Sequence, residues 1–156
     1  MIYIIFIAIL FAIDQITKSI THNNLLLGES IPVIKDFFHF TYVRNEGVAF
    51  GIFQGKIQII TIVSILAVIG IIYYVVKYEK NSSKLIHYAY ALIISGAMGN
   101  ITDRIFRGFV VDMMDFRGIW SYIFNMADVY INIGVALMLL DYILVERKKK
   151  EEEKIK

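Results

Sequence analysis

The chain alternates long apolar runs with short polar links, and the runs have membrane length. Residues 2–13 carry no charge and continue as an apolar stretch through Asp14 towards residue 20. Residues 57–76 are charge-free and broken only by Gln58, Thr61 and Ser64. Residues 85–101 hold only His87, Ser95 and Asn100 as strongly polar positions, and residues 124–145 only Asn125, Asp128, Asn132 and Asp141. A helix of about 20 residues crosses the roughly 30 Å of hydrocarbon in a bilayer. The pattern therefore predicts four membrane spans, at about 2–20, 57–77, 85–104 and 124–146. The first run is expected to be a retained span, because it lacks the basic flank and small-residue cleavage site of a secretory leader.

The link between the first two spans has a different texture. Phe37-Phe38-His39-Phe40-Thr41-Tyr42-Val43 is aromatic and β-branched and lies between Pro32 and Gly47, which predicts one or two short strands. Aromatic side chains favour the headgroup layer, so a β lobe over about 30–56 is expected to lie on the membrane. The fold class read from these patterns is membrane all-α: a four-transmembrane-helix bundle with a small extracytoplasmic β platform. Residues 1–146 form a single integral membrane domain, and 147–156 a charged tail, solvated and helical or frayed.

Composition agrees, since 58% of the 156 residues are hydrophobic, too many for a small soluble domain. Cysteine is absent, which removes disulfides, thiolate ligands and a thiol nucleophile. A net charge of +2 gives no case for nucleic acid. Charge distribution is more informative. Lys77, Lys80 and Lys84 crowd the link between the second and third spans, and Arg147, Lys148, Lys149 and Lys150 follow the fourth. Positive charge in short flanks marks the cytoplasmic side, so both termini are expected there. Residues 19–56 and 103–123 then face outward, although Lys35, Arg44, Lys56, Arg104, Arg107 and Arg117 in those segments dilute the bias.

With that orientation the unusual polar residues fall at one depth. Asp14 and Lys18 are four apart near the outer end of the first span, Asn100 and Arg104 four apart at the outer end of the third, and Asn125 and Asp128 three apart at the outer start of the fourth. Such spacings make helical neighbours. Asp112 lies in the outer link between the last two spans. Each residue also has a plain reading. Asp14 with Lys18 suits an interfacial ion pair that ends the first helix. Asn125 with Asp128 suits an N-cap and its partner, Asp112 with Asp115 a solvated loop, and Asp141 an interfacial or partner-bound residue. Gly96 and Gly99 suit close helix packing. Asp128 is the least comfortable with a plain reading, because a carboxylate near hydrocarbon is costly.

His22, His39 and His87 lack zinc-ligand spacing, so a metal site is not expected. At the outer boundary, Ser19 beside Lys18 is the only obvious serine–lysine candidate. A transporter subunit would spread its polar residues through the bilayer depth, and a non-catalytic assembly factor would use them only for packing.

Five segments occur in an order that resembles the bacterial lipoprotein signal peptidase (signal peptidase II) family: Asp14-Gln15-Ile16-Thr17-Lys18, Arg44-Asn45-Glu46-Gly47-Val48-Ala49-Phe50, Gly99-Asn100-Ile101-Thr102-Asp103-Arg104, Val110-Val111-Asp112 and Phe124-Asn125-Met126-Ala127-Asp128. The resemblance implies an aspartic endopeptidase of the bacterial inner membrane, with its active site at the outer face, that cleaves prolipoproteins before a diacylglyceryl-modified cysteine. It implies Asp112 and Asp128 as the catalytic pair. Asn45, Asn100, Arg104 and Asn125 would hold substrate or orient the pair, with Asp14 and Lys18 in support. Val48 stands where the family commonly has alanine and Val129 where serine is usual, which bears on substrate fit rather than on the reaction. Membrane lipid is the expected surrounding, a monomer the expected state, and no cofactor is implied.

Overall fold

The computed structural model describes residues 1–47, 55–79 and 82–155. Val48, Ala49 and Phe50 of the second segment, the rest of the stretch up to 54, and Lys80 lie outside the described residues. Four helices form a bundle: α1 (Ile2–Asn24), α2 (Ile57–Tyr78), α3 (Lys84–Phe106) and α4 (Met126–Ile155). Strands β1 (Ser30–Ile34), β2 (Phe38–Asn45), β3 (Val110–Phe116) and β4 (Ile123–Phe124) form one antiparallel sheet in chain order.

Among the described residues three helices, α1, α2 and α4, are long and apolar enough to cross a membrane. On α2 only Ile60, Thr61 and Val68 are buried, while Ile59, Ile62, Val63, Leu66, Ile69 and Ile72 are exposed. A helix apolar on all sides needs an apolar surrounding. The expected third span differs. α3 has the length but falls short in apolarity, because it is the interior helix. It packs against α1, α2 and α4 and buries twelve residues, among them Ser95, Asn100 and Asp103. Its polar groups meet protein rather than lipid.

Small residues allow this packing. A Cβ at Gly96 would overlap the carbonyl oxygen of Ala127, and one at Gly99 the carboxylate of Asp14. At the other end of the bundle, Ser83 caps α3 by accepting from Ile86 N at 3.1 Å and donates to Asp141 of α4, the partner-bound role expected for that aspartate. The charged residues 147–155 simply continue α4.

The sheet is larger than the sequence pattern suggested. β2 pairs not only with β1 but with β3, with Val43 opposite Asp112 and Asn45 opposite Val110. Asp112 therefore sits on a strand, which corrects the solvated-loop reading. Tyr42, Val111 and Met113 form a small core, with Leu25 at the end of α1 packed against it. Gly108, at φ +76°, turns the chain from α3 into β3, a backbone shape that favours glycine.

Candidate active site

All eight residues singled out from the sequence come together at the sheet end of the bundle. A cleft of about 330 Å³ is lined by Asp112, Asp128, Asn45, Asn100, Asn125 and Arg104, with Val110, Phe124, Ala97 and Ile131 as its apolar walls. Asp14 and Lys18 lie behind it.

Asp112 is 2% exposed. Asn45 Nδ2 donates to its Oδ2 at 2.9 Å, and Asn125 Nδ2 to its Oδ1 at 2.6 Å. Burial, and then the neighbouring Asp128, push its carboxyl up from 3.8 to about 7, against the opposing pull of the two amides and Lys18. A buried carboxylate facing another cannot ionise freely.

Asp128 occupies the first turn of α4. The cap reading is met, since Asp128 N donates to Asn125 Oδ1 at 3.0 Å and Asn125 N to Asp128 Oδ2 at 3.2 Å. The remaining oxygen, Oδ1, accepts from Asn100 Nδ2 at 2.9 Å. The cap thus aims the carboxylate into the cleft, so the plain and the functional readings are one geometry. Arg104 Nη2 donates to Gly47 O at 3.2 Å, while its buried Nε has no hydrogen-bond partner among the described residues.

Asp14 and Lys18 do not form the interfacial pair that ends the first helix. Both are fully buried, and α1 continues past them to Asn24. Lys18 Nζ lies 2.9 Å from Asp14 Oδ2 and 3.4 Å from Asp103 Oδ2, and donates to Asn100 Oδ1 at 2.8 Å. Asp14 Oδ1 accepts from Ala127 N at 2.9 Å, filling one of the open donors at the start of α4.

Asp103 escaped attention as a site residue, although it stands inside the third motif segment. It is fully buried, pairs with Arg107 and accepts from Val111 N at 3.0 Å. Its signal was its position four residues before Arg107, a spacing that makes the two helical neighbours. Ser19 accepts from Arg107 Nη2 at 3.1 Å and makes no serine–lysine pair with Lys18. The histidines are occupied separately: His22 on Tyr42, His39 on Ser30, and His87 on the carbonyl of Ser83.

Comparison with known proteins agrees with this architecture. The profile of the family described as Signal peptidase (SPase) II matches residues 6–144. A lipoprotein signal peptidase of Fusobacterium nucleatum is 54% identical over 150 residues, covering 96% of this chain and 91% of its own. One from Clostridioides difficile is 41% identical, covering 96% of this chain and 100% of its own. Two solved structures of bacterial membrane enzymes, determined in meso at 2.3 and 1.9 Å, superpose with TM-scores of 0.89 and 0.81. They are 33% and 34% identical, covering 96% and 88% of this chain and 92% and 90% of theirs. A four-helix bundle carrying two carboxylates in one cleft, together with these matches along nearly its whole length, places the chain in the bacterial lipoprotein signal peptidase (signal peptidase II) family.

Proposed function

We propose that Asp112 and Asp128 are the catalytic pair of this peptidase, and that the bond cleaved lies before a diacylglyceryl-modified cysteine of a prolipoprotein. The observation that carries the reading is the shared cleft, in which two aspartates from different elements are each steadied by asparagine amides. One proton is shared between them, and burial favours its residence on Asp112. Asp128 draws a proton from water as that water attacks the scissile carbonyl. Asp112 donates a hydrogen bond to the carbonyl oxygen as charge develops there. The tetrahedral intermediate then collapses with a proton passing to the leaving amine, giving a signal peptide carboxylate and a free amino group on the lipidated cysteine.

Asn45, Asn100 and Asn125 hold the two carboxylates in aim. The cation of Arg104 lines the same cleft and attracts charge developing on the substrate. The apolar walls suit the lipid-modified peptide, and exposed Phe37, Phe40 and Trp120 of the sheet region suit the headgroup layer. The basic flanks at Lys77, Lys84 and 147–150 support a cytoplasmic location for both termini, which puts the cleft at the outer face of the inner membrane. There α3 would complete a fourth span, shielded by its neighbours, and the enzyme would act as a monomer.

Asp112→Asn and Asp128→Asn are each expected to insert and fold but to leave a purified diacylglyceryl prolipoprotein uncut. Turnover by either variant at the wild-type rate would overturn the assignment. The transporter alternative asks for polar residues through the membrane depth, whereas these gather at one end of the bundle.

A further inference from the structure

We propose that Asp103, which lies outside the cleft lining, is a positioning residue that acts on Asp128 through Lys18 and Asn100 and on Asp112 through the amide of Val111. This inference rests on the reading of Asp112 and Asp128 as the catalytic pair.

The path to Asp128 follows from donor chemistry. An asparagine amide can be turned either way at almost no intrinsic cost, and only its partners decide which atom points where. Lysine offers donors only. Lys18 Nζ sits 2.8 Å from Asn100 Oδ1, so the oxygen is held on the lysine side and Nδ2 is left to face Asp128 Oδ1 at 2.9 Å. Reversed, the amide would set N–H groups against an ammonium and an oxygen against a carboxylate. Lys18 can do this only while it remains charged without exposure to water. Asp14 at 2.9 Å and Asp103 at 3.4 Å supply the counter-charge.

The path to Asp112 is shorter. Asp103 Oδ2, the oxygen that faces Lys18, also accepts from Val111 N at 3.0 Å. That bond fixes the peptide leading into Asp112. Its other oxygen is held by Arg107 and, at 3.4 Å, by Gln15 Nε2. One carboxylate thus ties α1, α3 and β3 together and reaches both members of the pair by separate routes.

Charge balance gives this network a second handle. Among the described residues, the carboxylates of this network are the buried Asp14, Asp103 and Asp112 and the half-buried Asp128, and the cations beside them are Lys18, Arg104 and Arg107. Four against three leaves one negative charge, which a single proton on the catalytic pair cancels. Arg44 and Asp115 also sit on the strands beside Asp112, but Arg44 packs over Phe109 and Asp115 is paired with Arg117. Removing the negative charge of Asp103 should make the pair release its proton more readily. Removing the positive charge of Lys18 should make the pair keep it to higher pH. A residue that merely holds helices together has no reason to produce two shifts of opposite sign.

The test compares full-length wild type, Asp103→Asn, Lys18→Met, Asp112→Asn and Asp128→Asn on a diacylglyceryl prolipoprotein, with rates referred to folded protein. For Asp103→Asn we expect kcat to fall at least about 10-fold, with KM changed less than about 3-fold. The alkaline limb of the rate profile should move to lower pH in Asp103→Asn and to higher pH in Lys18→Met. If Asp103→Asn does not accumulate, Asp103→Glu keeps the charge but displaces the oxygen, and the same kcat loss is expected. Wild-type kcat per folded molecule in the variant that accumulates, or limbs that move together, overturns the proposal. Residual wild-type activity in Asp112→Asn or Asp128→Asn would instead overturn the underlying reading of the pair.

Discussion

Replacing Asn45 by alanine should move the pH profile of this peptidase in a calculable direction. Asn45 Nδ2 donates to Asp112 Oδ2 at 2.9 Å, and such a bond favours the ionised carboxyl. Its loss makes ionisation harder, so the already raised pKa of Asp112, about 7, rises further. A hydrogen bond to a charged group contributes about 1.5–3 kcal/mol, and 1.36 kcal/mol corresponds to one pH unit. Water entering the vacated space favours the lower figure, so the limb should shift by about one pH unit. The mechanism needs one proton on the pair, and activity is lost as pH rises through the value at which that proton leaves. The alkaline limb should therefore move from near 7 to near 8. The assay is kcat/KM against pH for cleavage of a lipidated prolipoprotein in detergent or proteoliposomes, because that ratio reports the ionisations of the unliganded enzyme. A uniform loss of substrate affinity lowers the whole profile without moving its limb. An unmoved limb, or one displaced to lower pH, would refute the role given to this amide.

The same raised pKa bears on stability. Asp112 holds its proton more tightly in the folded chain than in the unfolded one, so stability is greatest below the ordinary carboxyl range and is lost as pH rises to about 7. The span from 3.8 to about 7 corresponds to about 4 kcal/mol at most. Asp112→Asn should accordingly melt no lower than wild type at pH 8, and thermal unfolding at pH 5 and 8 would detect the contrast; a lower Tm confined to pH 8 would count against it. Gly99→Ala should cost about 1–3 kcal/mol of stability from overpacking against Asp14 and reduce activity. Gly70→Ala has open space around it and should be tolerated; equal Tm losses in the two variants would contradict the packing scheme. Cleavage should survive incubation with a chelator, and loss that zinc restores would reinstate a metal mechanism.

Much of this architecture was legible because membrane helices announce themselves by length and apolarity. The two aspartates stood out for the opposite reason, as carboxylates beside hydrocarbon. β3 did not show itself. Val110, Val111, Asp112 and Met113 are all buried, so the strand lacks the alternation that a one-sided sheet writes into sequence. The depth of Asp14 and Lys18 was also hidden, since a four-residue spacing tells that two side chains share a face but not what that face meets. Asp103 was obscured by its neighbours. Its partners Lys18 and Val111 come from other elements, and only tertiary structure brings them within reach.

The bond from Ala127 N to Asp14 has a consequence for biogenesis. The first turn of α4, on which Asp128 is carried, is completed by a carboxylate from α1, more than a hundred residues earlier in the chain. A nascent protein with three helices inserted has Asp112 but neither Asp128 nor the α4 amide that Asp14 is shaped to receive. With Asp112 and Asp128 as the proposed pair, cleavage would begin only once the last helix has docked, chiefly against α3, and taken its first-turn cap from α1. On that basis α1 supplied as a separate peptide should restore cleavage to a chain lacking it.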